Sequence, residues 1–439
     1  MRSIRAALAT PLAALLLMVV GGASPVAAAS AQPNVRKVVT IEAERSPDTP
    51  ATDSKLLDAP SSAPPSLSAQ DGRPKRNIPQ QSPAQLKERV QLAQKFQDLR
   101  ESSTLARAAD LPGSAVECQD APSAQVAQGL VIDHFTWCQF GTYLITLDEC
   151  TSKGCTPKAR VGFRLSLLGV GEVGSREISF VGYPDNFRLS GVASELLATP
   201  LTFEMKCSVS KGSACIDYPL GNKMTQTIQQ WIRVPSMFFK FSSPETNAVG
   251  TDLLSWYDFW GTATITGGNT VTTGANGFRC DSATYVPSQG CVFDQTEELW
   301  YDLYIADPDV NETAQHIIDA QEQPEVTFPM WLGKTVPGSI YSGLPLNRIY
   351  HDTRLRDNNH AQAVRTCRQF FGTDYSTRGL DCDEYPFQST IQGAAAGDNR
   401  YSARALDSDD NQAAGRLLGK FYDRQRVLDS DPFYVIVIQ

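Results

Sequence analysis

The sequence predicts an α+β protein: a disordered N-terminal region and a helix, then a central β-rich domain, then a small C-terminal domain. Three observations predict it. Residues 30–81 are rich in Pro, Ser, Ala and Asp, and residues 115–304 carry β-branched and aromatic runs between turn residues. Residues 305–439 end in a strand, turn, strand, helix and strand pattern. A chain of 439 residues is long enough for two or three domains.

Residues 1–29 are typical of a secretory signal peptide. Arg2 and Arg5 precede an apolar run from Ala6 to Val20, and small residues follow. The run is shorter than the ~20 residues that span a bilayer, and no later segment is apolar for long enough to insert. We therefore expect a secreted, extracellular protein without a membrane anchor.

Residues 30–81 predict a disordered segment, because they cannot bury enough apolar surface to order themselves. From Ser82 the pattern changes. Ser82, Pro83 and Gln85 provide a cap, a first-turn proline and a capping-box glutamine. An apolar stripe follows, so we predict an amphipathic helix over residues 82–110.

Residues 115–304 predict an antiparallel sandwich or barrel of unassigned function. Within them, Gly169–Gly174 fits the Gly-x-Gly-x-x-Gly pattern of dinucleotide sites, but residues 176–181 continue as a strand. Because that fingerprint needs a following helix to hold pyrophosphate, we interpret the stretch as a hairpin turn.

The ten cysteines predict five local disulfides. Their number is even, and the leader directs the chain to an oxidising space. Zinc binding by thiolates is disfavoured, because no Cys-x-x-Cys pair occurs and the four histidines are not spaced as partners. The expected pairs are Cys150–Cys155, Cys207–Cys215, Cys280–Cys291, Cys367–Cys382 and the remaining Cys118–Cys138.

The net charge of −9 argues at first against a nucleic-acid partner, since backbone binding depends on positive charge. The negative charge is unevenly distributed, however. From Gly343 onward 12 basic residues oppose 13 acidic ones, and 11 of the basic residues are arginine, the better fork for phosphate. A nearly neutral C-terminal domain is compatible with DNA binding.

Three carboxylates crowd a four-residue stretch near the C-terminus, at Asp381, Asp383 and Glu384. Carboxylates this close repel one another, so a cation, a bound proton or open water must relieve the repulsion. A solvated acidic turn is the plain alternative. A strand at residues 400–406 and a helix from about Asn411 would fold back towards the acids, which predicts a site for one metal ion and one base.

The segments Cys382–Phe387, Asp410–Gly419 and Asp431–Val435 are a rare hexapeptide, an Asp-Asn helix start and a closing strand. Their kind and order resemble the NucA/NucB family of secreted bacterial deoxyribonucleases, most of all its longer, disulfide-containing members in actinobacteria. The resemblance covers about residues 345–439, under a quarter of the chain.

The resemblance implies a deoxyribonuclease domain of the ββα-metal type over residues 305–439, which cuts DNA without sequence preference using one divalent ion, Mg²⁺ or Mn²⁺. Related enzymes commonly use a histidine base, but residues 361–439 contain none. The position that matches the family's carboxylate base is Asp383, and Glu384 is implied to share the catalytic site. The implied metal ligands are Asn411, Asp381 and Asp410.

One position departs from the family pattern. Nine residues after Asp383 the family usually has a glutamate, whereas this chain has Gln392. A glutamine can coordinate or donate a hydrogen bond, but it cannot supply charge or take up a proton. Metal affinity or activity would then be reduced.

Four basic side chains near the motif have two interpretations each. Arg404 and Arg416 are candidate phosphate contacts, although a surface arginine is more often simply solvated. His351 and His360 lie upstream, and the expected bridge from Cys367 to Cys382 would draw this segment towards the site; exposed loop histidines are the alternative interpretation.

A second hypothesis belongs to a different class. The chain would be an extracellular binding protein whose β domain is functional and whose nuclease-like domain is weak or inactive, which Gln392 and the acidic balance favour. DNA is the expected partner under the first hypothesis. The sequence leaves open whether an inhibitor protein binds the enzyme before export.

Overall fold

The protein folds as a β sandwich followed by a mixed C-terminal domain. The structure, a computed structural model, describes residues 35–44, 69–70, 73–74, 91–93, 95, 117–218, 221–294 and 299–438. The predicted signal peptide and most of the predicted segments 30–81 and 82–110 lie outside the described residues. Within 82–110, residues 91–93 and 95 are helical.

Within those ranges, a seven-stranded and a six-stranded antiparallel sheet form the sandwich. The first has the order β1–β3–β4–β5–β9–β7 with β2 beside β3, and the second β8–β6–β10–β12–β13 with β11 beside β10. The strands are β1 (Arg36–Glu44), β2 (Leu130–Asp133), β3 (Thr136–Thr151), β4 (Gly154–Gly171), β5 (Glu177–Gly191), β6 (Pro200–Lys211), β7 (Ile216–Tyr218), β8 (Lys223–Thr227), β9 (Met237–Ser242), β10 (Ser255–Ile265), β11 (Thr270–Thr272), β12 (Asn276–Asp281) and β13 (Gly290–Val292). Two short helices, α1 (Ser194–Leu197) and α2 (Ile228–Arg233), connect strands.

Aromatic side chains from both sheets fill the space between them. Trp137 of β3 and Phe180 of β5 meet Phe259 of β10, with ring centroids 5.0 Å and 4.7 Å apart. The predicted β-rich domain is confirmed as a sandwich. Gly169–Gly174 lies where β4 turns into β5, and Gly174 has a φ of +96°, so the prediction of a hairpin turn is also confirmed.

The prediction of disorder is wrong for residues 36–44. This stretch is β1, which pairs antiparallel with β3 along nine residues. Ile41 enters the sandwich core, and the side chain of Asn269 bonds both the N–H and the C=O of Ile41 at 2.8 Å. The segment orders because it finds a sheet edge, which local composition does not reveal.

The ten cysteines form five disulfides with the partners expected from their spacing. Four of these lie in the sandwich and in the segment that precedes β2. The fifth joins Cys367 to Cys382 in the C-terminal domain, with Cα atoms 6.0 Å apart. It ties a helix to the strand that carries the acidic group.

The C-terminal domain begins earlier than predicted. A short parallel pairing joins β14 (Trp300–Tyr304) to the last strand, and Leu299, Tyr301 and Leu303 are buried in the same core as Phe433. The predicted boundary between residues 304 and 305 is therefore wrong, since it cuts this core. The remaining elements are α3 (Asn311–Glu322), β15 (Leu346–Asn347), α4 (Thr353–Phe371), β16 (Leu380–Tyr385), β17 (Ser402–Asp407), α5 (Ser408–Arg424) and β18 (Pro432–Ile438).

The hairpin of β16 and β17 is enclosed between helices. Helix α4 contacts one face, where Cys367 bonds Cys382, and α3 and α5 contact the other. Helix α5 starts at Ser408, three residues before the predicted start near Asn411. Its start is fixed by Asp407, whose side chain accepts hydrogen bonds from the N–H groups of Asp409 and Asp410.

Two buried ion pairs join the sandwich to the C-terminal domain. Arg279 of β12 donates to both carboxylate oxygens of Asp431, at 2.7 and 2.9 Å. Asp281, two residues along the same strand, accepts from Arg426 at 2.6 and 2.8 Å. Each domain supplies one arginine and one aspartate, and all four side chains are at most 2% exposed.

Further contacts seal this interface. The ring of Tyr285 stacks on that of Tyr350, with centroids 3.6 Å apart, and the Arg348 guanidinium lies over Tyr285. Burial lowers the pKa of His134 to about 4, so at neutral pH its ring is uncharged and its Nδ1–H donates to the carbonyl of Gln425. The two domains are held by charge and by packing together.

We expect Arg279→Ala to lower the free energy of unfolding by about 3–5 kcal/mol, because it leaves Asp431 buried without its cation. Urea unfolding of the full chain measures this. Arg164→Ala is the control: Arg164 pairs with Asp185 on a partly exposed surface of the sandwich and should cost no more than about 1 kcal/mol. Equal losses in the two variants would contradict the role given to the buried pair.

Candidate active site

The acidic group lies on β16, where successive side chains point to opposite faces of the hairpin. Asp381 and Asp383 face α3 and α5, as their partners on those helices show. Cys382 and Glu384 face α4, to which Cys382 is bonded. The three carboxylates therefore do not share one site, as the sequence had suggested, but divide between two faces.

Asp383 is hydrogen-bonded to a histidine that the sequence analysis did not place in the site. Its Oδ2 lies 2.6 Å from Nδ1 of His316 on α3, and Nε2 of His316 lies 2.7 Å from Oγ of Ser402 on β17. His316 is fully buried, whereas the Asp383 side chain keeps 9% of its surface exposed. Among the described residues Oδ1 has no hydrogen-bond partner, so it is the oxygen available to water.

The hydrogen bond between His316 and Asp383 could not be predicted from the spacing of residues in the sequence. His316 precedes Asp383 by 67 residues and lies outside the motifs that carry the resemblance. One signal was available: His316 occupies the buried side of an amphipathic stretch, next to Ile317 and one helical turn from Ala320. A histidine on such a face needs a polar partner inside the protein.

The order Ser402–His316–Asp383 matches the hydrogen-bond order of a serine-hydrolase triad. Burial decides against that chemistry. Ser402 is 1% exposed and is enclosed by the hairpin and α3, so its hydroxyl cannot meet a substrate. The less buried end of this hydrogen-bond chain is the carboxylate, and the serine anchors the far side of the imidazole.

Glu384 occupies a different environment from Asp383. Burial, and then the negative charge of Asp383, raise the pKa of Glu384 to about 8, while a hydrogen bond from the backbone of Gln388 opposes the rise. The carboxyl is therefore mostly protonated and neutral at pH 7. It faces α4, away from His316 and α5.

Two of the predicted metal ligands are engaged at helix ends. Asp410 accepts hydrogen bonds from the N–H groups of Glu312 and Thr313, at 2.8 and 3.0 Å, and from the Thr313 hydroxyl. Asp381 accepts from Ser408 and Gln412 on α5. In the part of the chain that the structure describes, no three His, Cys, Asp or Glu residues come together to hold a metal ion.

The capping is reciprocal, which explains why Asp410 is buried. The residue before α3, Val310, has no side chain that can cap the helix. Asp410, from the first turn of α5, performs this function, and Glu312 of α3 accepts in return from the N–H of Asp407. The two helix starts are thereby fixed against each other beside the hairpin.

The remaining predicted ligands differ in availability. Asn411 is half-buried in the first turn of α5, on the same side of the hairpin as Asp383. Gln392 is bonded at both ends of its amide to Asn347, whose N–H it accepts at 2.9 Å and whose Oδ1 it donates to at 2.8 Å. In this chain Gln392 therefore fixes the position of Asn347. An ionised glutamate could not donate the bond to Asn347 Oδ1.

The predicted phosphate contacts are partly neutralised. Arg404 donates to Asp319 at 2.7 Å. Arg416 borders a recess of about 340 Å³ that is lined mainly by carboxylates, including those of Asp309 and Asp409, which repel phosphate.

His351 and His360, the two histidines considered in the sequence analysis, lie away from Asp383. His351 contacts Asp252 in the domain interface, at 3.2 Å. His360 is exposed on α4, on the far side of the hairpin from His316.

Comparison with known families now agrees with this architecture. The family model "Deoxyribonuclease NucA/NucB" matches residues 347–436, which run from the end of β15 into β18 and include Asp383 and Asn411. The C-terminal region contains a NucA/NucB deoxyribonuclease domain. This match supports DNA hydrolysis by the C-terminal domain, as the resemblance predicted. No curated protein and no solved structure matches the chain.

The matched NucA/NucB segment does not contain all of the structural domain. It begins after β14 and α3, yet α3 supplies His316 to Asp383, and β14 pairs with β18. The nuclease unit thus extends upstream to Leu299, in a part of the chain that the family match leaves out.

We expect Asp410→Ala to destabilise the metal-free protein by about 1–3 kcal/mol, because buried N–H groups of α3 lose their acceptor. Chemical unfolding in excess EDTA measures this. The control is Asp409→Ala, one residue earlier and exposed, which should cost clearly less. If Asp410→Ala left metal-free stability unchanged and altered only metal binding, the capping role would be wrong.

The pKa of Glu384 predicts a pH dependence of stability. In the unfolded chain the carboxyl has its ordinary pKa near 4.5, and folding raises that value to about 8. The stabilising contribution of Glu384 is therefore complete below about pH 4.5 and is lost as the pH rises towards 8, at up to about 1.4 kcal/mol per unit.

Glu384→Gln removes this titration, so the variant should gain stability relative to wild type between pH 5 and 8. Thermal unfolding of both proteins across that range checks it. A stability difference that stays constant with pH would show that Glu384 is ionised in the folded state.

Proposed function

We propose that the chain is a secreted, metal-dependent endonuclease that hydrolyses phosphodiester bonds of DNA, with Asp383 as general base and His316 as its positioning residue. The hydrogen bond from His316 to Asp383 carries the proposal. It occupies one carboxylate oxygen and leaves the other available to the water that attacks phosphorus.

The hydrogen-bond chain places a hydrogen between His316 and Asp383. Nδ1–H of His316 can donate to the Asp383 carboxylate, while Nε2 shares a hydrogen bond with the Ser402 hydroxyl, which can donate or accept. The donated hydrogen stabilises the negative charge of a carboxylate that has little contact with water. Asp383 is then oriented before the substrate arrives.

A divalent ion would supply polarisation of the scissile phosphate and stabilisation of the leaving oxygen. Asn411 is the predicted ligand that fits, through its amide oxygen, since Asp381 and Asp410 are engaged at helix ends. The other ligands would be water and substrate phosphate, both of which commonly bind Mg²⁺ in enzyme sites.

Secretion is supported by the sequence and by the disulfides. The leader pattern of residues 1–29 and five disulfides in one chain both suit an oxidising compartment. Among the described helices, none has the length and apolar character needed to cross a membrane.

A second candidate function is an extracellular binding protein with an inactive nuclease domain. It is favoured by the low exposure of the base, since His316 is fully buried and Asp383 nearly so. Gln392 also favours this second candidate, because it stands where the family usually has a glutamate. Activity of the purified chain decides between the two.

We expect the full chain to nick supercoiled plasmid with Mg²⁺ or Mn²⁺ and to lose this activity in EDTA. Asp383→Asn, which keeps the shape but removes the proton acceptor, should lower kcat by about 10²–10⁴-fold. His316→Gln should lower kcat by about 10–100-fold and change the pH profile, since it acts through Asp383.

Ser402→Ala is the matched control, because it keeps the imidazole but removes the far hydrogen bond. It should retain most of the activity, whereas complete loss would revive the serine-nucleophile chemistry that burial argues against. If the Asp383→Asn variant cleaved plasmid as fast as wild type, the proposed mechanism would be wrong.

A further inference from the structure

A loop of the C-terminal domain crosses the free edge of the β16–β17 hairpin. It follows α3 and covers residues 324–335. The Phe328 carbonyl accepts a hydrogen bond from the N–H of Ala403 at 2.9 Å, as a neighbouring strand would. Ala403 is adjacent to the cross-strand partner of Asp383. The loop therefore lies two strand spacings, roughly 10 Å, from the strand that carries the base.

The loop is held in one shape by contacts at its base. Lys334 is buried and donates to the carbonyl and hydroxyl of Thr327, each at 2.9 Å, and to the Pro329 carbonyl at 3.0 Å. The ring of Phe328 stacks on Phe370 of α4, with centroids 4.4 Å apart. A loop fixed in this way presents its tip without a large loss of conformational freedom on binding.

The tip of this loop is apolar and exposed. Leu332 is 89% exposed and Met330 57%, and the Trp331 ring is open to solvent although its Nε1–H donates to Asn399. Phe370 adds a further exposed aromatic ring beside the loop. Large apolar side chains gathered at one exposed place mark an interaction surface more often than chance.

An arginine borders this apolar tip. Arg400 follows Asn399 and donates through Nε to the Thr335 carbonyl at 3.1 Å, which leaves both terminal nitrogens for a ligand. In the described part of the chain no carboxylate lies within ion-pair distance of Arg400, unlike Arg404 with Asp319. A ring for stacking and an unpaired arginine thus lie next to each other at the hairpin edge.

We propose that Met330, Trp331 and Leu332 form a platform for unstacked bases of single-stranded DNA, with Arg400 contacting a flanking phosphate. The inference rests on the proposed nuclease function, whose base lies in the same hairpin. Unpaired bases stack on aromatic side chains, and backbone phosphates bind arginine. Duplex DNA offers no free base faces, so the platform favours single strands, frayed ends and gaps.

The experiment measures binding and cleavage separately. Binding is measured with full-length Asp383→Asn, by fluorescence anisotropy of a labelled single-stranded 20-mer and of the matching duplex. We expect the added changes Trp331→Ala and Leu332→Ala to weaken single-strand binding at least tenfold and duplex binding much less. In the active chain the same changes should raise KM for single strands more than they lower kcat.

Two further variants make the test specific. Arg400→Gln should reduce the slope of log affinity against log salt by about 0.7, as expected for one lost phosphate contact on a single strand. Val173→Ser is the control, because Val173 is an exposed apolar residue (57%) in a turn of the sandwich, and it should leave DNA binding unchanged. Circular dichroism verifies that each variant is folded.

The outcomes separate this inference from the proposed function. Absence of cleavage by the wild-type chain refutes the nuclease proposal, while anisotropy still reports on the platform. Unchanged single-strand affinity in the loop variant overturns the platform even if cleavage is normal. Sedimentation that shows a dimer converted to monomer by the loop changes would also overturn it, since a second copy would then cover the tip.

Discussion

A carboxylate withdrawn from water needs a hydrogen-bond donor, and Asp383 obtains one from a helix 67 residues upstream. Much of the C-terminal architecture serves this contact. Helix α3 must lie against the hairpin, so β14 before it pairs with the last strand, and its start is capped by Asp410 from α5. Asp410, which was predicted to bind a metal, thus holds the helix that carries His316, the hydrogen-bond partner of the proposed base Asp383.

The sandwich contributes a second constraint, at the opposite end of the domain. Arg279 and Asp281 lie two residues apart on one strand, so they share a face and meet Asp431 and Arg426 together. Exchanging charges between domains leaves no net charge buried. Without the C-terminal domain, Arg279 and Asp281 would keep each other, with Nε and Oδ2 3.9 Å apart, but would lose the closer contacts to Asp431 and Arg426. The sandwich is therefore part of the stability of the nuclease domain, whatever else it binds.

Local features of the sequence were predictable, whereas contacts between distant segments were not. Disulfide pairs with short loops, the glycine hairpin and the final strand follow from patterns within a few residues. The disorder assigned to residues 36–44 failed because β1 is stabilised by a sheet edge a hundred residues away. Strand alternation alone would have separated Asp383 from Glu384, since neighbours on a strand face opposite sides. His316 and the capping role of Asp410 required tertiary structure.

The same hydrogen-bond order can serve opposite chemistry, and exposure decides which. In a serine hydrolase the hydroxyl meets the substrate and the carboxylate is buried behind the imidazole. Here Ser402 and His316 are fully enclosed, whereas the Asp383 side chain keeps 9% of its surface exposed. A hydroxyl at the enclosed end can only orient the ring, whereas a carboxylate at the less buried end can take a proton from water. The greater exposure of Asp383 than of Ser402 is thus the physical reason for proposing Asp383 as the hydrolytic base.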